Sequence, residues 1–283
     1  MSRSIRGIRT ARTPLVLAAV ASAALILAGC AGSPASESGG AEGDGLGTIK
    51  VGALQTPAGD ILNHIAENGA AELGLTIEFV PFTDYNTPNT ALVDGSIDAN
   101  LFQNSTFLEN FNTNTGSDLI SVGEAYLPSA AFYSSKVDSL DDLEDGATIA
   151  IPNDPTNEGR ALKLLAQEGL IEVSDDVVDL TGITDNPRDF EFQEIENATL
   201  PQAVPDVDAA FVTISFALPA GLTADEAILT EGEGSPYYNV LATRPDLKDD
   251  PRIVALYELL TSPETADFEN ETWGGLVVPV TKG

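Results

Sequence analysis

The sequence predicts an α/β protein whose body consists of two units, each a mostly parallel sheet covered by helices. From residue 48 onward, short apolar runs alternate with stretches in which apolar residues recur at helical spacing. Such strand–helix–strand repetition indicates right-handed βαβ units. The alternation restarts near residue 130, and the length after residue 47 suits two units of about 100 residues better than one oversized sheet.

The first unit contains apolar runs bounded by turn-forming residues, which predict strands, and amphipathic stretches, which predict helices. The longest of these helices carries Ile61, Leu62 and Ile65 at helical spacing and is closed by Gly74. The predicted strands are 48–53, 75–81, 97–101 and 119–125, and the predicted helices are 57–73, 87–93 and 105–112.

The second unit repeats this pattern, and the chain then returns to the first. The apolar run at 147–151 leads through two prolines into a helix that Gly169 stops. The predicted strands are 130–134, 147–151, 190–195, 207–213 and 237–243, with a final apolar run at 276–280. The predicted helices are 140–143, 157–168, 200–204, 251–260 and 263–269.

Charge and composition exclude several classes of function. The chain has 13 basic and 44 acidic residues, and four of the bases lie in the first 29 positions, so nine remain in a strongly acidic body. Such a body repels phosphate backbones, and we predict no nucleic-acid partner. One cysteine and one histidine cannot form a disulfide or a Cys/His zinc site, and we predict no metal and no cofactor.

The N-terminal residues are typical of a targeting signal followed by a flexible linker. A basic segment precedes an apolar run at 14–28, which is shorter than the about 20 residues of a membrane span. The run ends in Leu27-Ala28-Gly29-Cys30, which resembles the bacterial lipobox. We predict a lipoprotein signal peptide at 1–29, a lipidated Cys30 and a flexible Gly/Ser linker through residue 47. An ordinary secretory signal with an incidental cysteine is the alternative.

One segment combines features of an anion site. Residues 151–162 run from an apolar strand through two prolines into a helix N-terminus, which Asn157 or Thr156 could cap. A helix N-terminus favours an anion, and Arg160 lies in its first turns with a planar fork that can hold a carboxylate. The alternative is a surface arginine that pairs with Glu158 or Asp154.

Three further segments place aromatic residues beside amides where a cleft is expected to open. Residues 80–89 and 100–108 follow the second and third predicted strands, and 235–239 lies where the chain crosses back between the units. Ligands of open α/β sheets bind outside the carboxyl ends of the strands. Taken singly, Phe102 and Phe107 fit core packing better than ligand contact.

Together with the lipobox, these segments resemble the methionine-binding lipoproteins of ABC importers, the MetQ/NlpA type. The similar stretches are TDYNTPNTALVDGSIDANLFQN, GATIAIPNDPTNEGRALKLLAQEGLI, VDAA and SPYYNV, in the same order and spacing. The resemblance implies a two-lobed periplasmic-binding-protein fold (type II-like) with two hinge crossovers. Lobe 1 is then 48–126 plus 241–283, and lobe 2 is 127–240.

The resemblance also implies roles for individual residues. Arg160 would hold the α-carboxylate of the ligand, Asn239 would hydrogen-bond its backbone groups, and Tyr85 and Phe102 would wall the side-chain pocket, with Asn157 at the helix start.

Three predicted site residues depart from the family pattern. Asn104, Phe107 and Ser215 stand where the family has a histidine, a tyrosine and an amide. The departures leave the identity of the amino acid open, because they remove polar contacts.

We therefore predict a lipid-anchored solute-binding protein of an ABC transporter, not an enzyme, on the extracytoplasmic face of the cell membrane. It would capture an amino acid, methionine first, and deliver it to a permease and its ATPase. The alternatives are a paralogue that binds a different amino acid or a dipeptide, and a non-transport surface lipoprotein. An enzyme that uses paired carboxylates is a further alternative, for which the sequence singles out no pair.

Overall fold

A computed structural model of the chain describes residues 45–232 and 234–282. The predicted signal peptide, Cys30 and most of the predicted linker lie outside the described residues. Among the helices of the described part, none has the length and apolar character that a membrane crossing requires.

Thirteen strands and eight α-helices form the described structure. The strands are β1 (Gly47–Leu54), β2 (Leu75–Phe82), β3 (Ala99–Asn104), β4 (Ile120–Pro128), β5 (Ala130–Tyr133), β6 (Thr148–Pro152), β7 (Glu172–Val173), β8 (Ile183–Asp185), β9 (Glu191–Ile195), β10 (Ala209–Thr213), β11 (Ala227–Thr230), β12 (Asn239–Thr243) and β13 (Val277–Pro279). The helices are α1 (Asp60–Glu67), α2 (Pro88–Val93), α3 (Ser105–Thr115), α4 (Pro155–Gln167), α5 (Leu200–Ala203), α6 (Ile214–Ala217), α7 (Pro251–Leu260) and α8 (Pro263–Trp273).

The strands form two main sheets, one in each lobe, and the α/β fold class predicted from the sequence is confirmed. The first sheet has the order β13-β4-β12-β3-β1-β2 and the second β11-β5-β10-β6-β9. Both are mixed, whereas the sequence predicted mostly parallel sheets. The parallel pairs are β1 with β2 and β3, and β6 with β9 and β10. Antiparallel pairing comes from strands next to the chain crossings, such as β12 between β3 and β4, and β5 beside β10.

The chain passes between the two sheets twice. β4 ends at Pro128 in the first sheet and β5 begins at Ala130 in the second, so Ser129 alone joins them. The return runs from the end of β11 at Thr230 to the start of β12 at Asn239. The sheets place Leu127, Pro128, Asn239 and Val240 with the first lobe, whereas the predicted boundaries placed them with the second.

Several local predictions need correction. The helix predicted at 57–73 is interrupted, with α1 ending at Glu67 and a separate 3₁₀ turn at Ala70–Leu73, because Gly69 breaks the helical backbone. The strand predicted at 97–101 is β3, which begins at Ala99 and continues to Asn104. The β7–β8 hairpin, α6 and β11 are too short for a periodic signal, and the sequence did not predict them.

Each sheet packs against helices through its own apolar cluster. In the first lobe α1 and α7 contribute Ile61, Leu62 and Leu256 to a core that includes Ile49 of β1. In the second lobe α4 contributes Leu162 and Leu165, which pack in one cluster with Phe211 of β10. A third cluster contains residues of both lobes and lies at the cleft described below.

Two carboxyl groups are buried in these lobes. Glu269 on α8 is 1% exposed, and its Oε2 has no hydrogen-bond partner among the described residues. Burial raises the pKa of Glu269 to about 8. Glu158 on α4 is also buried, and its Oε1 accepts a hydrogen bond from the Leu180 amide at 2.8 Å. Burial, followed by the charge of Glu194, raises the pKa of Glu158 to about 7.

Candidate ligand-binding site

The N-terminus of α4 is built by the segment that follows β6. The cap is Asp154, whose Oδ1 accepts a hydrogen bond from the Asn157 amide at 2.9 Å, and Pro155 occupies the first helical turn. The sequence predicted Asn157 or Thr156 as the cap, which is wrong by two or three residues. The residue before a proline favours extended backbone, so Asp154 is the natural boundary. The Asn157 side chain donates to Asp154 at 3.0 Å.

Arg160 projects from α4 and is 3% exposed. Its Nε donates to Glu231 Oε1 at 2.9 Å, and its Nη2 donates to the Pro128 carbonyl at 2.9 Å and also to Glu231 Oε2. The guanidinium carbon lies 4.7 Å from the centre of the Tyr237 ring, a cation–π contact. Among the described residues, Nη1 makes no hydrogen bond. The ion-pair partner of Arg160 is therefore Glu231, not the Glu158 or Asp154 that the sequence offered.

Four aromatic rings pack together between the lobes, and three of them, Tyr85, Phe102 and Phe107, also line the pocket described below. Tyr85, Phe102 and Phe107 come from the first lobe, with ring centroids 5.7 to 6.0 Å apart. Phe216 of α6 lies 4.8 Å from Tyr85. Phe216 is an addition from the second lobe that the sequence did not single out as a site residue. Aromatic contacts of this kind add to the apolar burial of these rings.

Polar contacts join the two lobes beside these rings. The Tyr85 hydroxyl lies 3.0 Å from Thr213 Oγ1, at the end of β10. Asn110 on α3 donates to Thr156 Oγ1 on α4 at 2.9 Å. Burial raises the pKa of Tyr85, so the hydroxyl stays protonated as a hydrogen-bonding group. These contacts link the two lobes in the structure.

Asn104 and Asn239 face each other on neighbouring strands, β3 and β12. Asn104 Oδ1 accepts the Phe107 amide at 2.9 Å and caps α3. Asn239 Nδ2 donates to the Tyr126 hydroxyl at 3.1 Å. Behind them Gln103 donates to Asn89 at 2.6 Å in a buried amide network. These bonds fix the orientation of the amides beside the cleft.

These residues line a pocket between the two lobes. Seven of the eight predicted ligand-binding residues lie on its wall, and the eighth, Ser215, is buried at the start of α6. The structure adds Gln103, Pro128 and Thr213 to the predicted site. They lie at or near strand ends, and this position is the sequence feature from which they could have been predicted. The wall residues are Tyr85, Phe102, Gln103, Asn104, Phe107, Pro128, Asn157, Arg160, Thr213 and Asn239.

The site combines one buried guanidinium, amide and hydroxyl groups, and an aromatic wall. This set suits a small molecule with a carboxylate at one end and an apolar group at the other. In the described part of the chain no group of three or more His, Cys, Asp or Glu side chains is placed to hold a metal ion.

We expect removal of the Tyr85 hydroxyl to weaken ligand binding two- to tenfold. The Tyr85→Phe change deletes one hydrogen bond between the lobes, worth about 0.5–1.5 kcal/mol, and so destabilises the closed form. Calorimetric titration with the ligand measures the effect. Tyr257→Phe is the matched control, because its hydroxyl donates to the Glu124 carbonyl within the first lobe. An equal loss in both variants, or none in either, contradicts this role of Tyr85.

Two α/β lobes joined by two crossings, with a polar and aromatic cleft between them, define the class of solute-binding proteins. Within this class, a family model described as NlpA lipoprotein matches residues 49–281, and the chain belongs to the NlpA lipoprotein family. The family consists of solute-binding proteins of transporters rather than enzymes, as the sequence predicted.

Named relatives and solved structures agree with this assignment. The D-methionine-binding lipoprotein MetQ of Salmonella typhi is 38% identical over 234 residues, covering 80% of this chain and 86% of that protein. Lipoprotein 28 of Escherichia coli O157:H7 is 35% identical over 268 residues, covering 93% and 95%. A nutrient-binding protein from Burkholderia cenocepacia, solved bound to methionine, has a TM-score of 0.77 and 35% identity, covering 82% of this chain and 99% of that one.

Proposed function

We propose that this chain is the lipid-anchored solute-binding protein of an ABC transporter and that its cleft captures an amino acid, with L-methionine as the first candidate. The observation that carries the proposal is the position of Arg160. It is a buried cation on the wall of an aromatic-lined cavity between two lobes. Because the body is so acidic, a buried guanidinium at a cleft indicates a specific binding site for an anion.

In this proposal each end of the ligand has its own contacts. Arg160 and the start of α4 hold the carboxylate, since a helix N-terminus and a guanidinium both favour an anion. Asn239 and Asn157 bond the polar backbone groups. Tyr85, Phe102 and the neighbouring rings surround the apolar side chain.

Binding is proposed to favour closure of two lobes about the crossings. The first lobe is the part of the body up to Pro128 and from Asn239 onward, and the second lobe lies between them. A ligand that contacts both lobes binds the closed form better and shifts the population toward it. The closed form would then be the species that a permease and its ATPase receive.

The names of the relatives support the ligand and the location. The Salmonella protein is named for D-methionine binding, and the Burkholderia structure contains methionine. Several relatives are named lipoproteins, which supports attachment to the membrane through Cys30. We place the body on the extracytoplasmic face, where a transported solute is captured.

A different amino acid or a dipeptide is the second candidate, and the structure offers a reason for it. Asn104 uses one lone pair of its oxygen to cap α3, and Phe107 has no hydroxyl, so these two positions offer fewer acceptors for an α-ammonium than a histidine and a tyrosine would. A second pocket adjoins Tyr85 and Phe107 and is also lined by Asn86 and Asn110. Its amides could contact a second residue of a dipeptide.

A ligand panel tests the proposal. The full chain in detergent is unfolded and refolded to remove any bound solute, and its thermal unfolding is measured with L- and D-amino acids and dipeptides. A ligand at 100 times its Kd adds about 2.7 kcal/mol of stability, which is a readily measured shift. A response to L-methionine supports the first candidate, and a response only to another amino acid or a dipeptide supports the second. Silence across the panel contradicts the proposal and favours a non-transport surface lipoprotein.

A further inference from the structure

Arg160 is already paired with a carboxylate of its own chain, that of Glu231. Glu231 follows β11 at the start of the return crossing, and both of its oxygens accept from the Nε–Nη2 edge of Arg160. The two side chains are 3% and 9% exposed, so the pair is shielded from water and from salt screening. The Glu231 backbone is itself fixed, since its amide donates to the Ala130 carbonyl at 2.9 Å.

Arg160 lines two pockets, whereas Glu231 lines only the outer one. Lys163 and Tyr237 also line the outer pocket. The ligand cavity is lined by Arg160, but Glu231 is not among its wall residues named above. A ligand carboxylate in the cleft therefore joins Glu231 on the same guanidinium instead of replacing it. The Nη1 group, which has no partner among the described residues, is the donor it can use.

We propose that Glu231 is the resident counter-ion of Arg160 and that it lowers the affinity of the cleft for a carboxylate. This inference rests on the proposed function, in which Arg160 is the anchor of the ligand. A buried guanidinium without a partner is strongly destabilising, and Glu231 removes that penalty when the cleft holds no ligand. A ligand carboxylate then approaches a guanidinium whose charge Glu231 already balances, and Glu231 repels it. The carboxylate therefore gains less electrostatic free energy than it would from an unpaired guanidinium. A lower affinity of the cleft for the solute favours release of the solute after delivery.

The test is the affinity of the Glu231→Gln variant of the full chain in detergent, titrated with L-methionine. We expect the affinity to rise at least tenfold and the melting temperature without ligand to fall. The carboxamide derivative of the same amino acid, which has no carboxylate, should bind both proteins equally. Glu191→Gln is the matched control, because Glu191 is an exposed acid on β9 of the same lobe and its removal changes only the net charge.

Two outcomes overturn the inference. Affinity for the carboxylate ligand that is unchanged or reduced in Glu231→Gln shows that Glu231 does not restrain binding. A tightening of equal size for the carboxamide shows that the effect does not act through charge. If Glu231→Gln does not fold, Glu231→Asp is the second variant, since the shorter side chain weakens the pair and should tighten binding about threefold. An unchanged affinity in that variant overturns the inference as well.

A double variant separates this inference from the proposed function. Arg160→Gln with Glu231→Gln removes both charges and leaves no buried ion unpaired. If the double variant binds as well as the unaltered chain, Arg160 is not the anchor and the proposed site is wrong. If it does not bind, while Glu231→Gln alone binds like the unaltered chain, the site stands and only the role of Glu231 is wrong.

Discussion

The Arg160→Ala variant is expected to bind its amino acid about 10- to 100-fold more weakly than the unaltered chain. Arg160 is the buried cation on the cleft wall, and a ligand carboxylate gains a charge-assisted hydrogen bond from its Nη1 in the proposed complex. Such a bond is worth about 1.5–3 kcal/mol, and about 1.4 kcal/mol corresponds to a tenfold change in affinity. Calorimetric titration at constant temperature measures the loss directly.

The controls for this variant follow from the ion pair. Arg160→Ala leaves Glu231 buried without its partner, which destabilises the second lobe. The double variant Arg160→Ala with Glu231→Gln removes that penalty and should be equally deficient in binding. Arg188→Ala is the matched control, because Arg188 pairs with Asp145 on the surface of the same lobe. Affinity in the double variant that equals that of the unaltered chain contradicts the assignment of Arg160.

The second large effect is a loss of stability as the pH rises from 5 to 8. Burial raises the pKa of Glu269 to about 8, well above its ordinary value, so the folded protein keeps this proton in a range where the unfolded chain has lost it. Stability gained from such a group is present at low pH and is lost as the pH rises through the folded pKa. We expect the free energy of unfolding to fall on the order of 3–4 kcal/mol through Glu269 alone.

Two variants separate the contributions. Glu269→Gln keeps the size of the side chain and removes its ionisation, so its unfolding free energy should depend much less on pH between 5 and 8. Glu158→Gln should remove a smaller pH dependence of the unfolding free energy. That dependence ends near pH 7, because burial raises the pKa of Glu158 only to about 7. Denaturant unfolding at several pH values measures both. Carboxylates with a lowered pKa, such as Asp208, act below about pH 4 and lie outside this range. Identical pH profiles for Glu269→Gln and the unaltered chain contradict this account.

Local sequence features were sufficient to predict most elements and most of the cavity wall. Strands and helices with several periodic residues, such as β1 and α4, were placed within two residues at each end. Tyr85, Phe102 and Asn104 could be assigned to the cleft because each follows or ends a strand of an α/β unit. The glycine after α4 was likewise a sufficient signal for the end of that helix.

Contacts between distant residues were beyond the sequence. Glu231 is 71 positions from Arg160, and Thr213 is 128 positions from Tyr85, so no local pattern pairs them. The sequence offered Glu158 as a partner of Arg160 because the two are close along the helix. In the structure Glu158 turns to the Leu180 amide instead. The mixed sheets have the same origin, since the direction of β12 is set by the return crossing and not by its own residues.

The central claim is that the cleft binds an amino acid through Arg160. Its most direct test is a calorimetric titration of the ligand-free chain with L-methionine and the other amino acids, in parallel with the variant that combines Arg160→Ala and Glu231→Gln. The account predicts saturable binding of one amino acid per chain, and binding at least tenfold weaker in the variant. Equal binding by both proteins, or no amino acid bound by the unaltered chain, would contradict it.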